Sequence, residues 1–427
     1  MTNVTHTNIV NGLTPDRGAD HLLSFIKNSP SPWHACNEMR RILTQAGALE
    51  LDERQPWQLE AGKLYFVARD QASLIAFRLP EKRPIRAIIH AAHTDSPGLK
   101  VKPQGEFEQE GLHLVSFEVY GSPIIASWLG RDLALTGRVF TENAGVVRSQ
   151  LVYFDAHPVM IPHCAIHLDR GVNEEGLLVN KQTHLAAVAS CGHYLQRILP
   201  PECIHHELFA VPLEEGRFLG FDNTLIAAPR LDNLASCAAI LEALLKSDGS
   251  AETLQMAVCW NHEEVGSTSR VGAASTFFPD TLERICTLLG LNREAYFCLK
   301  AKSLTLSIDV AHGAHPNYSE KYEPRHKPIL GQGVCVKLSA QERYASSGEA
   351  VAKSKSLFKA KGIPLQTYLC RSDMPCGSTI GPIHASNTGI ATVDLGIPLL
   401  AMHASRELIH IADFQSLVYA LKIVFSC

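Results

Sequence analysis

Two adjacent stretches decide the fold: LDNLASCAAILEALLKS (231–247) and TLQMAVCWN (253–261). The first is long, Ala- and Leu-rich and spaced as a helix. The second is a short apolar run with the length of a buried strand. The alternation continues to the end of the chain. A helix-like segment spans 279–290, and SLTLSIDV (303–310) is a strand. SSGEAVAKSKSLFKAKG (346–362) is a helix, PLQTYLC (364–370) and GIPLLAM (396–402) are strands, and DFQSLVYALKIVF (413–425) is a closing helix. Alternation of this kind builds an α/β core with largely parallel central strands.

Upstream, residues 18–47 predict helices around the break SPSPW, with Asp20 as a cap of HLLSFIKNS. The short β-rich runs KLYFVARD (63–70), SLIAFRL (73–79) and IRAIIHAA (85–92) follow. Between 99 and 229 the pattern changes again. LHLVSFEVYG, LALTGRVF and QLVYF alternate with Gly and Asn turns and with few helical patterns, which marks a β-rich insert. The predicted fold is α/β, a mixed central sheet flanked by helices. Residues 1–98 and 230–427 form that domain, and 99–229 form the insert.

The chain has 427 residues, enough for two or three domains. Apolar residues are 46% and charged residues 19%, which excludes a disordered chain. The formal charge of −4 gives no electrostatic footprint for nucleic acid or an anionic membrane. No apolar run reaches the length of a membrane span. The polar N-terminus MTNVTHTNIVNGLTPDRG lacks a leader's apolar stretch, and the twelve cysteines form no C-x-x-C pair. A reducing, cytoplasmic setting is the expectation. The 20 histidines are a reason to look for a metal, since histidine is the commonest metal ligand.

Seven residues share one placement. His93 and Asp95 follow IRAIIHAA, Glu263 and Glu264 follow LQMAVCWNH, Asp309 ends LTLSI, and His403 ends IPLLAM. Asp232 stands at the start of the 231–247 helix. In open α/β sheets, ligands gather at the carboxyl ends of strands, so these residues can converge. They are also the nitrogen and oxygen donors that zinc takes. Singly, each has an ordinary structural use: Asp232 as a helix cap, Asp309 as a turn residue, His93 or His403 as a hydrogen-bonded core histidine. Together, two adjacent carboxylates at the end of a buried strand are costly without a cation. NHEEVGS (261–267) is not a zincin helix, because Gly266 stands where the second histidine belongs. Cys376 and Ser378 in PCGSTIGP fit a Gly-rich turn better than a nucleophile.

HTDSP (93–97), PRLDN (229–233), NHEEVGS, SIDVAHGAHPNY (307–318), RSDMPCGSTIGP (371–382) and MHASRE (402–407) resemble, in order and spacing, the aspartyl aminopeptidase family of di-zinc metallopeptidases. IPHCAIHLDR (161–170) is similar to a further family segment inside the insert. The resemblance implies two Zn²⁺ per subunit, with Mn²⁺ or Co²⁺ able to substitute. Asp232 would bridge them, His93 and Asp309 completing one site and Glu264 and His403 the other. It makes Glu263 the general base, and Asp95 the carboxylate that orients His93. Lys337 would meet the substrate's acidic side chain. His163, with His167 as the weaker candidate, would be supplied across a subunit contact.

The implied activity is removal of acidic N-terminal residues from peptides through a zinc-bound hydroxide, in a homo-oligomer built from dimers into a dodecamer through the insert. The competing expectations are a di-zinc aminopeptidase of broad or non-acidic preference and a non-catalytic assembly protein. The intact set of ligands and base speaks against the second.

Overall fold

A computed structural model describes residues 19–426 except Cys191 and Ser347. The N-terminal stretch from which the absence of a leader was expected lies outside the described residues. The largest sheet has nine strands in the order Leu49–Leu51, Leu64–Arg69, Ser73–Arg78, Thr253–Trp260, Arg86–His93, Leu304–Ile308, Ala391–Gly396, Val334–Leu338 and Leu365–Leu369. The four from Thr253–Trp260 to Ala391–Gly396 run parallel. Antiparallel pairs flank them at Ser73–Arg78 and Val334–Leu338, so the sheet is mixed.

Arg86–His93 shows why such strands read as unbroken apolar runs. Ile88 and Ala92 enter a core formed with helices Leu231–Lys246 and Ile411–Phe425. Ala87, Ile89 and Ala91 point the other way, into a core with helices Phe277–Leu288 and Arg293–Lys302. Both faces are covered, so neither alternate position needs to be polar.

The insert forms its own six-stranded sheet, in the order Val146–Val159, Leu133–Asn143, Cys203–Pro212, Gly98–Gln109, Leu112–Tyr120 and Ala186–Val188. Its pairings are antiparallel throughout, and it packs a separate core around Phe117, Trp128 and Leu135. A third sheet of five strands joins Arg217–Leu219 and Leu225–Ala228 to Glu407–His410, Pro398–Leu400 and Ala311–His312. Within residues 217–228, assigned to the insert from sequence, Arg217–Leu219 pairs with Leu225–Ala228, which in turn pairs with Glu407–His410, the strand that follows His403. Strands of three and four residues carry too little periodicity to show this in advance.

The SPSPW break is a helix start: Ser31 caps Pro32–Gln45 by accepting from the His34 N–H. Asp20 is not a cap. Ala19 holds that position, and the Asp20 carboxylate sits in the first turn, where it complements the helix dipole.

Candidate metal centre

The parallel register brings the predicted residues to one edge. His93, the last residue of its strand, lies opposite Trp260, the last residue of the neighbouring strand. Beyond Trp260 the chain tightens into a turn over Glu263–Val265, entered through His262 at φ 65°. Asp309 follows Leu304–Ile308 directly. Asp232 stands in the first turn of Leu231–Lys246 with non-helical angles (φ −80°, ψ 103°). The cap position there belongs to Arg230, which makes no side-chain capping bond, so Asp232 is not used as a cap. His403 arrives in a turn after Pro398–Leu400 at φ 66°, a region disfavoured for a residue with a Cβ.

Two triads result, His93–Asp232–Asp309 and Asp232–Glu264–His403, each with its donor atoms within 4.8 Å of one another. They share Asp232. His93 Nε2 is 3.5 Å from Asp232 Oδ1 and 3.6 Å from Asp309 Oδ1. His403 Nε2 is 3.3 Å from Asp232 Oδ2 and 3.6 Å from Glu264 Oε1. The two oxygens of one carboxylate thus face the two halves. A third triad, His93–Glu263–Glu264, overlaps them, with Glu263 Oε2 at 4.0 Å from His93 Nε2.

Both rings are oriented by backbone carbonyls. His93 Nδ1 lies 3.0 Å from the Asp95 carbonyl, and His403 Nδ1 lies 3.0 Å from the Ser122 carbonyl. A carbonyl only accepts, so each Nδ1 donates, and each Nε2 faces the carboxylates, as a metal ligand requires. The Asp95 side chain has a further task. Its carboxylate accepts from the backbone N–H groups of Glu263 and Glu264, at 3.1 Å each, and from the Tyr120 hydroxyl at 2.7 Å. Asp95 therefore fixes the turn that carries both glutamates.

Glu407 was not singled out from sequence. It is buried, and its carboxylate accepts from the Asp232 N–H at 2.9 Å and the His403 N–H at 2.8 Å. One side chain braces a residue of both halves. Its place in MHASRE, four residues after His403, was the available signal.

The charges do not balance without a cation. Burial, with the neighbouring Asp309, Asp95 and Asp232, pushes Glu263 up to about 8. Burial and Asp232 hold Glu264 well above the carboxylate range. Burial disfavours a charged His403, but Asp232 outweighs it and lifts the ring to about 9. These directions favour protons within the cluster that a divalent cation would displace on binding. Asp232 Oδ1 is buried and accepts no hydrogen bond, an orphan that a cation would satisfy. The donor set, two imidazoles and three or four carboxylate oxygens, suits zinc.

The cluster forms the floor of a cavity of about 390 Å³, walled by Lys337, His312, Tyr344, Tyr368 and the 377–379 turn. Lys337 is 2% exposed, and its Nζ lies 3.1 Å from Asp309 Oδ2. Ser378 Oγ donates to the Arg343 carbonyl, and Cys376 Sγ to the Tyr344 hydroxyl. Neither is prepared as a nucleophile. His163 does not line this cavity. It is exposed on the insert beside Gly130, and His167 is exposed nearby.

The pattern of the family described as Aminopeptidase I zinc metalloprotease (M18) matches residues 25–202 and 191–425. The chain belongs to the M18 peptidase family. Relatives named probable M18 family aminopeptidase 2 include one from Azotobacter vinelandii, 39% identical over 95% of this chain and 97% of its own length. Another, from Pseudomonas putida, is 41% identical over 94% and 96%. Among solved structures, the cryo-EM structure of an Ape4 and Nbr1 complex superposes at TM-score 0.91, with 33% identity over 96% of this chain and 85% of that one. An M18 aminopeptidase from Thermotoga maritima shares the fold at TM-score 0.84, with 22% identity over 96% of each chain. The M18 chain described here is thus a metalloaminopeptidase, and a scaffold without activity is set aside.

Proposed function

We propose that this M18 aminopeptidase holds two zinc ions on His93, Asp232, Glu264, Asp309 and His403 and removes acidic N-terminal residues from peptides. The two triads sharing Asp232 on the cavity floor are the observation that carries this reading. Bound ions would supply Lewis acidity and make water acidic near neutral pH. Glu263 takes the proton of the attacking water at its carboxylate and returns it to the leaving amine. It is the glutamate absent from both Asp232-sharing triads, and it borders the open cavity. Asp95 keeps that carboxylate in place through the turn's N–H groups.

Lys337 supplies the preference for Asp or Glu. With Asp309 engaged as a ligand, that carboxylate's charge is taken up, and the ammonium is left to meet a substrate carboxylate. The contact with Asp309 also supports a second reading, in which Lys337 only braces a ligand and specificity is broad. A panel of N-terminal Asp, Glu, Leu and Ala substrates, assayed with Zn²⁺, Mn²⁺ and Co²⁺, separates the two. A charge-assisted hydrogen bond is worth about 1.5–3 kcal/mol, or about 10–150-fold. Lys337→Ala should lower kcat/KM for acidic substrates by that factor and leave Leu and Ala substrates little changed. Equal losses on all four would select the second reading. Metal analysis of reconstituted protein should approach two ions per chain, and a stable maximum of one at full activity would refute the pair.

The insert, in this proposal, is the assembly domain of a homo-oligomer; a structure described as an S. cerevisiae mApe1 dodecamer shares this fold at TM-score 0.83 and 24% identity over 95% of this chain and 96% of that one. Leu168 and Leu178, 81% and 84% exposed, lie in the insert segment that also bears His163. Apolar side chains this bare are candidates for a covered face. His163 would then serve a neighbour's cavity. No helix among the described residues is long and apolar enough to cross a membrane, and a cytoplasmic setting stays part of the proposal.

A further inference from the structure

The insert does not merely abut the metal centre. Where its strand Leu112–Tyr120 ends, the chain runs along the cluster and contacts Glu264 and His403 of one half, and Asp95 behind the Glu263–Glu264 turn. Tyr120 donates its hydroxyl to Asp95 Oδ2 at 2.7 Å, and Asp95 holds the N–H groups of Glu263 and Glu264. Two residues on, the Ser122 carbonyl receives His403 Nδ1. Ile124 N–H then donates to the His403 carbonyl at 2.8 Å. Ser405 closes the clasp, donating its N–H to Ser127 Oγ at 2.8 Å and its hydroxyl to the Ser127 carbonyl at 2.6 Å. Between these contacts stands Gly121, at φ 68°, where a Cβ would come 3.1 Å from Glu264 Cβ. The Tyr120 ring is anchored on the insert side by an edge contact with Phe209, centroids 5.3 Å apart.

We propose that the insert segment 120–127 is a strap that positions the metal ligands, with Tyr120 as a positioning residue for the Glu263–Glu264 turn and Ser122 for the His403 ring. This rests on the metal-pair reading above. Its consequence is that metal retention depends on how the insert is seated, so a domain assigned to assembly also tunes the catalytic centre. Partners behind metal ligands typically contribute 10–100-fold in metal affinity or activity.

The test is zinc release from the reconstituted full-length protein to a chromophoric chelator, followed over time. Tyr120→Phe keeps the ring against Phe209 and removes only the hydroxyl. It should release zinc about 10–100-fold faster than wild type, with a lower kcat and an unchanged KM. Tyr419→Phe, on the exposed face of Ile411–Phe425, serves as the control and should match wild type. Gly121→Ala is a second, independent perturbation and should also speed release, through its contact with Glu264. Matching unfolding midpoints of the metal-free proteins would separate loss of positioning from loss of fold. Wild-type release rates in both Tyr120→Phe and Gly121→Ala would overturn the strap while leaving the metal pair intact. A wild-type protein that takes up no zinc would overturn the metal pair itself.

Discussion

Glu263 and Glu264 are neighbours in sequence with different surroundings. Glu264 shares a triad with Asp232 and His403, and its side chain is 5% exposed. Glu263 is 16% exposed at the cavity wall, 4.0 Å from His93. Replacing the first should cost metal, and replacing the second should cost chemistry. Glu263→Gln is expected to keep its zinc and lose about 10²–10⁴-fold in kcat, the usual loss for a general base. Glu264→Gln should lower zinc affinity. Parallel metal analysis and kinetics decide it, and near-wild-type kcat in metal-loaded Glu263→Gln would move the base elsewhere. Every residue of the two triads was visible in the sequence, because each follows a strand or opens a helix. Glu407 and Tyr120 were not. Glu407 accepts from two ligand N–H groups and Tyr120 donates to Asp95, and no periodicity in the sequence announces such bonds. Lys337 was singled out only through the family resemblance, since by pattern alone it reads as an ordinary strand lysine. Only the fold shows that it is buried against Asp309.

The strand Ala391–Gly396 shows where local pattern failed at the scale of an element. From sequence only 396–402 was a strand, yet 391–396 is a central strand of the large sheet. Asp394 interrupts its apolar run. That carboxylate is fully buried and serves Thr379 Oγ1 and the Ala345 N–H, at 2.7 and 2.6 Å, tying down two loops beside the cavity. Helix Ile380–Thr388 was hidden for a similar reason, since Gly381 and Pro382 in its first turn look like a continued loop. Helix Arg293–Lys302 was likewise not anticipated, since most of its polar face is exposed and only Tyr296 and Leu299 are buried. The 391–396 strand ends at Gly396, where a Cβ would fall 1.8 Å from the Asp309 carbonyl oxygen. No side chain fits there without moving the backbone that carries a proposed ligand. Gly396→Ala should therefore destabilise the fold by about 1–3 kcal/mol, the usual penalty for overpacking. It should also weaken zinc at the His93–Asp309 half before the other. A denaturant midpoint and a two-step zinc titration would show it, and unchanged values in both would mean that the sheet can yield at that position.

For the whole molecule, the proposals give the insert two tasks, seating the strap beside the metal-ligand cluster and presenting the exposed His163 outward. A residue exposed on its own chain and absent from its own cavity can act on substrate only if another chain brings it there. In a closed symmetric dimer, the same patch on each subunit meets its copy, so each would lend its histidine to the other. This gives a complementation test that needs no structure of the assembly. His163→Ala chains keep Glu263 but lack the lent histidine. Glu263→Gln chains keep the histidine but lack the base. Each homo-oligomer should be weak. Mixed oligomers from co-expression should recover activity, because a His163→Ala site beside a Glu263→Gln neighbour has both groups. With random pairing in equal amounts, half the chains carry the base and half of those have a competent neighbour, so recovery should approach about one quarter of wild type. Light scattering on the same samples must show oligomers. Activity no greater than the sum of the separate variants would place His163 outside catalysis, and a fully active monomer would remove the assembly proposal altogether.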